Sequence, residues 1–131
     1  MLDLSNLNSL TSLEANEEVS GGIIANNPSL LSIKGMGPFD MNGAINLVNF
    51  EGFYLSENLD LSKNIFLNSV DISSSNLLEL DLSNNTEITE LSLHNIGLEC
   101  VQVHDTSWAY NIPLLYLDSQ NPLYFSENCN Y

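Results

Sequence analysis

Basic residues are nearly absent from this chain of 131 residues. It contains no arginine and only two lysines against 17 acidic residues, so its formal net charge is −15. Affinity for nucleic acid comes largely from Lys and Arg that neutralise phosphates, and an anionic membrane surface repels an acidic chain. We therefore exclude nucleic acid as a partner, whereas a basic protein or a divalent cation is electrostatically allowed. The high net charge also helps to keep the repeat surfaces of separate molecules from associating.

Long apolar runs are absent too. No run approaches the roughly 20 residues that a membrane-spanning helix needs, so we predict no membrane insertion. The segment Met1–Ser5 lacks the basic and apolar regions of a signal peptide. It is already in phase with the repeat described below. Because terminal repeats normally need polar caps, we expect the chain to be part of a longer protein.

Catalytic motifs are missing as well. The chain has no G-x-S-x-G nucleophile elbow, no H-E-x-x-H zinc motif and no glycine-rich phosphate loop. Its two histidines have no identifiable nucleophile partner, and the many surface carboxylates say little about acid–base chemistry. We predict that the protein is not an enzyme.

The strongest positive signal is a repeat between Leu67 and Val103. The apolar pattern L-x-x-L-x-L occurs four times, and alternate copies share one offset, from Leu67 to Ile88 and from Leu77 to Leu98. A fixed period in this range is typical of a solenoid. Each L-x-L supplies two inward side chains on a short strand. The repeat therefore predicts a leucine-rich solenoid with short parallel strands on two narrow sheets, mostly strand and turn with little helix.

Projecting this repeat backwards gives two strand series and about five coils over residues 1–103, with the first coils irregular. A tight corner is expected at Gly35–Pro38. Residues 104–131 are rich in aromatic residues and proline without a period, which predicts an irregular C-terminal cap. The first series is Leu13/Ala15, Ile33/Gly35, Phe50/Gly52, Val70/Ile72 and Leu91/Leu93. The second is Leu2/Leu4, Ile23/Ala25, Phe39/Met41, Leu59/Leu61, Leu80/Leu82 and Val101/Val103.

Two asparagines recur at one position of the repeat. Asn64 and Asn85 each follow a second-series strand by three residues, and the interval between them is the same as that between alternate copies of the apolar pattern. Amides at such a position can satisfy backbone groups in successive turns and stack into a ladder. We interpret them as structural, with ligand binding by exposed amides as the alternative.

An acidic column is expected on the outside of the second series, because aspartate recurs at the middle position of L-x-L. Gln102 occupies this position in the last strand of the series, and Ile24 occupies it in an early strand and interrupts the column. Carboxylates on strands about 4.8 Å apart repel one another, so the column could bind a basic partner or hold calcium, for which Asp60 and Asp81 are the clearest pair. The alternative is that the neighbouring serines simply solvate these carboxylates. The column consists of Asp3, Asp40, Asp60 and Asp81.

The two cysteines allow two interpretations. Cys100 precedes Val101, where its side chain is expected to point outward, and Cys129 lies in the cap. A disulfide between them would pin the cap to the solenoid and contribute roughly 3–4 kcal/mol. Alternatively, both cysteines with His104, and His94 as a further ligand, could hold zinc.

Two segments resemble a known family. Leu77–Leu93 looks like bacterial leucine-rich repeats of the nested 21-residue type. Leu98–Asp105, Trp108 and Phe125–Cys129 resemble the end cap of secreted leucine-rich repeat proteins from Bacteroidetes, where a secretion-system sorting domain commonly follows. The resemblance implies an extracellular or cell-surface interaction module in which Cys100 and Cys129 form the corresponding disulfide.

These observations lead to two functional hypotheses. The first is a non-catalytic module that binds a protein or glycan partner through outward residues, with Asp40, Asp60, Asp81 and Gln102 as the candidate contacts. The second is a structural spacer of a larger adhesin, stabilised by calcium as its only cofactor.

Overall fold

The computed structural model describes residues 2–15, 20–23, 26–118 and 122–131. Over these residues the chain is a parallel-strand solenoid of about five turns, mostly strand with almost no helix, as predicted. Its elements are β1 (Leu2–Asp3), β2 (Ser12–Glu14), β3 (Ser20–Ile23), β4 (Ser32–Asp40), β5 (Asn49–Phe53), β6 (Ser56–Asn58), β7 (Ser69–Ser73), β8 (Asn76–Glu79), β9 (Glu90–His94), β10 (Cys100–Gln102), α1 (Thr106–Tyr110), β11 (Leu114–Leu117) and β12 (Tyr124–Ser126).

The main sheet follows the first predicted series. Strands β2, β4, β5, β7, β9 and β11 lie side by side in it, and β1 and β3 join it through β4. Its parallel register aligns the first inward residue of each coil, which confirms this part of the repeat. Inward residues are buried and outward residues are at least partly exposed, because side chains alternate along a strand. The aligned residues are Leu13, Ile33, Phe50, Val70 and Leu91.

The second series is less regular than predicted. Asp3 pairs with Ile23, and Ile23 pairs with Asp40. Ile23 therefore lies in the register of the acidic column, where the repeat places Ile24, so the predicted register was wrong by one residue. Ile24 and Ala25 lie outside the described residues.

Farther along the chain, second-series pairing occurs only in part among the described residues. Asp81 forms an isolated bridge with Gln102, and β10 pairs with β12. Strands β6 and β8 pair with each other instead, just before these positions, with a register shift after Glu57. Leu78 is the extra residue at that shift and is highly exposed.

The corner predicted at Gly35–Pro38 is wrong, because β4 runs through this segment as a nine-residue strand. Glycine has a packing role here. A Cβ atom built on Gly37 would overlap the side chain of Leu55, and one on Gly52 would lie 2.7 Å from Phe50 Cζ. The missing side chains leave room for Leu55 and Phe50, which are both buried. Tight packing of this kind leaves no space for an extra methyl group.

Inward leucine, isoleucine and valine side chains form one continuous core along the coils. The core extends into the cap, where Ala109, Ile112 and Phe125 are buried. No helix in the described part of the chain is long and apolar enough to cross a membrane. Helix α1 begins after Asp105, whose carboxylate accepts the N–H groups of Ser107 and Trp108.

The segment after Val103 continues both rows of strands. Leu115 aligns with Leu91 on the main sheet, and Phe125 aligns with Val101 on the second row. The sequence distances from Leu91 to Leu115 and from Val101 to Phe125 are both longer than the distance from Leu67 to Ile88. This last coil includes α1. The predicted boundary at Val103 is thus a change in sequence pattern, across which the strand pairing continues.

Candidate functional site

The aspartates of the predicted acidic column accept backbone N–H groups in the turns that follow them. Asp40 Oδ1 accepts the N–H of Asn42 at 3.0 Å, and Asp60 Oδ1 accepts that of Ser62 at 2.9 Å. Asp81 Oδ1 does the same for Ser83 at 2.8 Å. Hydrogen bonds from Ser62, first with its side chain and then with its backbone, hold the pKa of Asp60 below its usual value. Each carboxylate therefore has a local structural role.

Only part of the predicted contact set comes together. Gln102 Nε2 donates to Asp81 Oδ2 at 3.3 Å, and Gln102 Oε1 accepts the N–H of Cys129 at 3.4 Å. The described strand pairs link Asp40 back to Ile23 and do not connect it to Asp60. The column is therefore divided into two paired sections, with Asp60 between them.

The described residues do not form the cluster of ligands that either metal hypothesis needs. Among residues 2–15, 20–23, 26–118 and 122–131, no group of three His, Cys, Asp or Glu side chains is arranged to hold a metal ion. This includes the calcium candidates Asp60 and Asp81. The zinc interpretation is wrong, because both cysteines are in a disulfide. His104 packs against Trp108, with ring centroids 4.6 Å apart.

The asparagine ladder is present and buried. Asn64 Nδ2 donates to the carbonyls of Met41 and Ala44, at 3.1 and 2.8 Å. Asn85 Nδ2 donates to the carbonyls of Leu61 and Asn64, at 3.1 and 2.9 Å. These amides hold each turn to the preceding one, as the structural interpretation requires.

Asn27 belongs to the same ladder, although the repeat count did not identify it. It is fully buried, and its Nδ2 donates to the Leu4 carbonyl at 2.8 Å. With the second series shifted by one residue, Asn27 also follows its strand position by three residues. The one-residue register error concealed it.

The cap is fastened at two points. The predicted disulfide between Cys100 and Cys129 is confirmed, and Cys100 is buried. The hydroxyl of Tyr131 accepts the Leu80 N–H and lies within hydrogen-bond distance of the carbonyls of Leu80 and Cys100, to one of which it donates its single proton. Burial raises the pKa of Tyr131. A disulfide is compatible with an extracellular location.

The outer face of the main sheet is polar and mixed in charge. Lys34 Nζ lies 3.1 Å from Glu51 Oε1 and above the ring of Phe53. Asp71 faces Glu51 on the next strand. Burial first, and the neighbouring charge of Glu51 second, raise the pKa of Asp71.

The substitution Asp71→Asn is expected to stabilise the fold at pH 7. The pKa of Asp71 is higher in the folded chain than in the unfolded chain. Its contribution to stability is therefore fully present below the unfolded-state pKa of 3.8 and is lost as pH rises through the folded-state pKa. We expect a gain of up to about 1 kcal/mol, which is the upper end for a pair of neighbouring charges that solvent screens. Urea titrations at pH 7 and pH 3 measure it. A variant less stable than the parent at pH 7 would show that the carboxylate stabilises the sheet.

A second surface lies along the turns that lead into the main sheet. An open groove of about 950 Å³ runs there, and we call it the lateral groove. Leu31, Ile65 and Phe66 are 45, 47 and 52% exposed, and Val48 also lines the groove. Polar groups complete the lining: Asn46, Asn68, Ser83, Asn84, Thr86 and Glu87.

Backbone hydrogen bonds keep the groove in register. The N–H of Val48 donates to the Leu31 carbonyl at 2.9 Å, and that of Asn68 donates to the Val48 carbonyl at 2.8 Å. The same row continues to Thr11 at one end and Thr89 at the other. Its side chains are therefore apolar in the middle coils and polar towards both ends.

Sequence reasoning missed the lateral groove. The available signal was the pair Ile65-Phe66 directly after Asn64, where the next coil has Thr86-Glu87. The pair is not part of the L-x-x-L-x-L pattern, and Ile45 occupies the matching position one coil earlier and is also exposed. Apolar residues outside the core pattern of a solenoid therefore mark its surface.

The architecture and this site define the chain as a disulfide-capped, parallel-strand solenoid with an apolar groove on one side. In comparisons with known proteins, no family model, no curated protein and no solved structure matches the chain.

Proposed function

We propose that this protein is a non-catalytic binding module that takes up a protein partner in the lateral groove. The observation that carries the proposal is the exposure of Leu31, Ile65 and Phe66 side by side. Contiguous exposed apolar surface with a polar border is typical of interaction sites on soluble proteins. An apolar centre around one aromatic anchor, with a polar rim, is also the usual anatomy of a protein interface.

The lining favours a protein over a glycan. Branched aliphatic side chains dominate the apolar part of the groove, and Phe66 is its one aromatic residue. Aliphatic groups suit the side chains of another protein, whose burial is favourable by about 25 cal/mol per Å². The amides of Asn46, Asn68 and Asn84 can orient a backbone at the border.

The acidic column enters this proposal as part of the border. Asp81 holds the N–H of Ser83, which lines the groove. Asn84, another lining residue, donates to the carbonyl of Ser62, whose own N–H is held by Asp60. Asp60 and Asp81 thus support the turns that form one wall.

Peptide selection tests the proposal. A random peptide display library is selected on the immobilised chain, and selected peptides are measured against the double variant Ile65→Ser/Phe66→Ser. We expect binding at least tenfold weaker, because loss of an anchor costs about 1.4 kcal/mol or more. Leu78→Ser is the matched control, since Leu78 is 67% exposed on β8, outside the groove.

The outcomes separate clearly. Peptides that lose affinity for the groove variant and keep it for Leu78→Ser support the proposal. Peptides that bind both variants like the parent would place the binding surface elsewhere. Thermal unfolding of both variants checks that the fold is retained, which we expect because all three positions are exposed.

We also propose that the protein works outside the cell. The disulfide and the resemblance to secreted leucine-rich repeat proteins support this location. Detection of the intact chain in the culture supernatant of its own cells tests it. Recovery only from the cell interior, with both thiols reduced, would contradict it.

A further inference from the structure

We propose that the partner segment bound in the lateral groove is apolar at its centre and carries lysine or arginine at its flanks. This inference rests on the proposed function, because it specifies the chemistry of the partner for the same groove. It is drawn from the charges that border the groove on both sides and from the charge of the whole chain.

Carboxylates border the groove on the side of the main sheet. Glu87 lines the groove itself. Glu90 begins β9, and its carboxylate accepts the hydroxyl of Ser69 at 3.1 Å. The N–H of Glu90 donates to the carbonyl of Asn68, a lining residue. Both glutamates are exposed, so a cation at this end of a bound segment would meet two carboxylates.

Carboxylates also stand on the opposite side. Asp81 is exposed and lies two residues before the lining residue Ser83. Asp60 occupies the same position one coil earlier and is also exposed. Lys63 in the intervening turn offsets one of these charges. The two borders together still carry more negative than positive charge.

The rest of the chain strengthens this field. Lys34, the other lysine, is already paired with Glu51, and the net charge is −15. A surface of one sign raises the local concentration of oppositely charged partners and speeds their association. Complementary charge at a rim gives specificity in addition to rate.

The same charges disfavour other occupants. A second copy of this chain would bring the same acidic borders and the same net charge to the interface, and like-charge contacts cost several kcal/mol. An anionic membrane would be repelled. A partner with acidic flanks would meet Glu87, Glu90 and Asp81 unfavourably. The basic, apolar-centred segment is the occupant that satisfies both the groove and its borders.

Three synthetic peptides test this inference by fluorescence anisotropy. Each has the centre Leu-Phe-Leu-Val, flanked on both sides by two lysines, two serines or two glutamates. At low salt we expect the lysine peptide to bind at least tenfold more tightly than the serine peptide, and the glutamate peptide to bind more weakly than both. The advantage should shrink in 0.5 M NaCl, because salt screens exposed charges.

Variants assign the effect to the border. Glu87→Gln/Glu90→Gln should reduce affinity for the lysine peptide several-fold more than affinity for the serine peptide. Glu99→Gln is the matched control, because Glu99 is also exposed but lies beside a different pocket. A fourth peptide, with a serine centre between the lysines, should bind weakly, since charge alone does not fill the groove.

The failures of the two proposals can be told apart. If the lysine, serine and glutamate peptides bind equally and Ile65→Ser/Phe66→Ser abolishes their binding, the groove is a binding site and the basic-flank inference is overturned. If the peptides bind this double variant unchanged, the proposed function fails. Sedimentation that shows a dimer lost in the double variant would identify a second copy as the occupant. Absence of binding by every peptide at millimolar concentration counts against both proposals.

Discussion

Reduction of the Cys100–Cys129 disulfide is expected to lower the free energy of unfolding by about 3–4 kcal/mol. The bond closes a loop over a sequence separation of 29 residues, and the chain-entropy model assigns a cost of this size to releasing such a loop in the unfolded state. A domain of this size has a total stability of only about 5–15 kcal/mol. The reduced chain should therefore remain folded but unfold at much lower urea concentration.

Urea denaturation of the same chain with and without reductant measures this effect. Using one sequence avoids the cavity that a cysteine substitution would leave. The variant Cys100→Ala/Cys129→Ala is the control, because reductant should not change its stability. Identical curves for the oxidised and reduced parent would show that Tyr131 and the packing of Phe125 hold the cap by themselves.

Asn85→Ala should cost about 2–4 kcal/mol, the second large effect. Both donors of the Asn85 amide are used, on the carbonyls of Leu61 and Asn64. Removing the amide loses two hydrogen bonds, each worth about 0.5–1.5 kcal/mol, although the Leu61 and Asn64 carbonyls keep the N–H groups of Asn64 and Leu67. It also leaves a small void at a fully buried position, which costs about 1 kcal/mol more.

Asn84→Ala is the matched control for this prediction. Asn84 is the adjacent residue of the same turn, but it is exposed and its one hydrogen bond described, to the Ser62 carbonyl, is long at 3.3 Å. We expect it to change stability by less than about 0.5 kcal/mol. Equal losses for the two variants, measured by thermal or urea unfolding, would mean that the buried ladder contributes no more than a surface amide.

Ala44 shows how the ladder tolerates variation. It takes the place of an asparagine between Asn27 and Asn64, and its carbonyl is still held by Asn64. The Ala44 side chain is fully buried, so methyl packing replaces amide hydrogen bonds at one level. The ladder is therefore a series of local bonds between neighbouring coils, as expected for a fold in which each repeat contacts only its neighbours.

The acidic column shows why a pattern in sequence can predict position better than role. The aspartates Asp40, Asp60 and Asp81 recur because each closes a turn by accepting the N–H of the residue two positions later. A sequence shows that the aspartates recur, but not which atoms their oxygens face. Their part in partner binding stays a prediction, now as the support and charge of one border of the lateral groove.

The cap illustrates a second limit of pattern reading. Ile112, Leu115 and Leu117 carry the L-x-x-L-x-L spacing, and Leu115 joins the main sheet beside Leu91. The longer offset of this last coil hides the strand from a search at the repeat interval. On the second row Phe125 aligns with Val101, but Glu127 stands where the pattern asks for an apolar residue. That pairing depends on contacts across the sheet rather than on local spacing.

The spacing of the leucines is sufficient to specify the coils, the main sheet and the buried row at Asn64 and Asn85, because a side chain that recurs once in every coil must meet its counterpart in the next one. Three features depend on the folded chain instead. The register at Ile23 depends on how β4 pairs, the pairing of the cysteines depends on where the cap lies, and the lateral groove depends on which apolar residues remain outside the core. Leu31, Ile65 and Phe66 are as apolar as the core residues, and only the packed coils leave them on the surface.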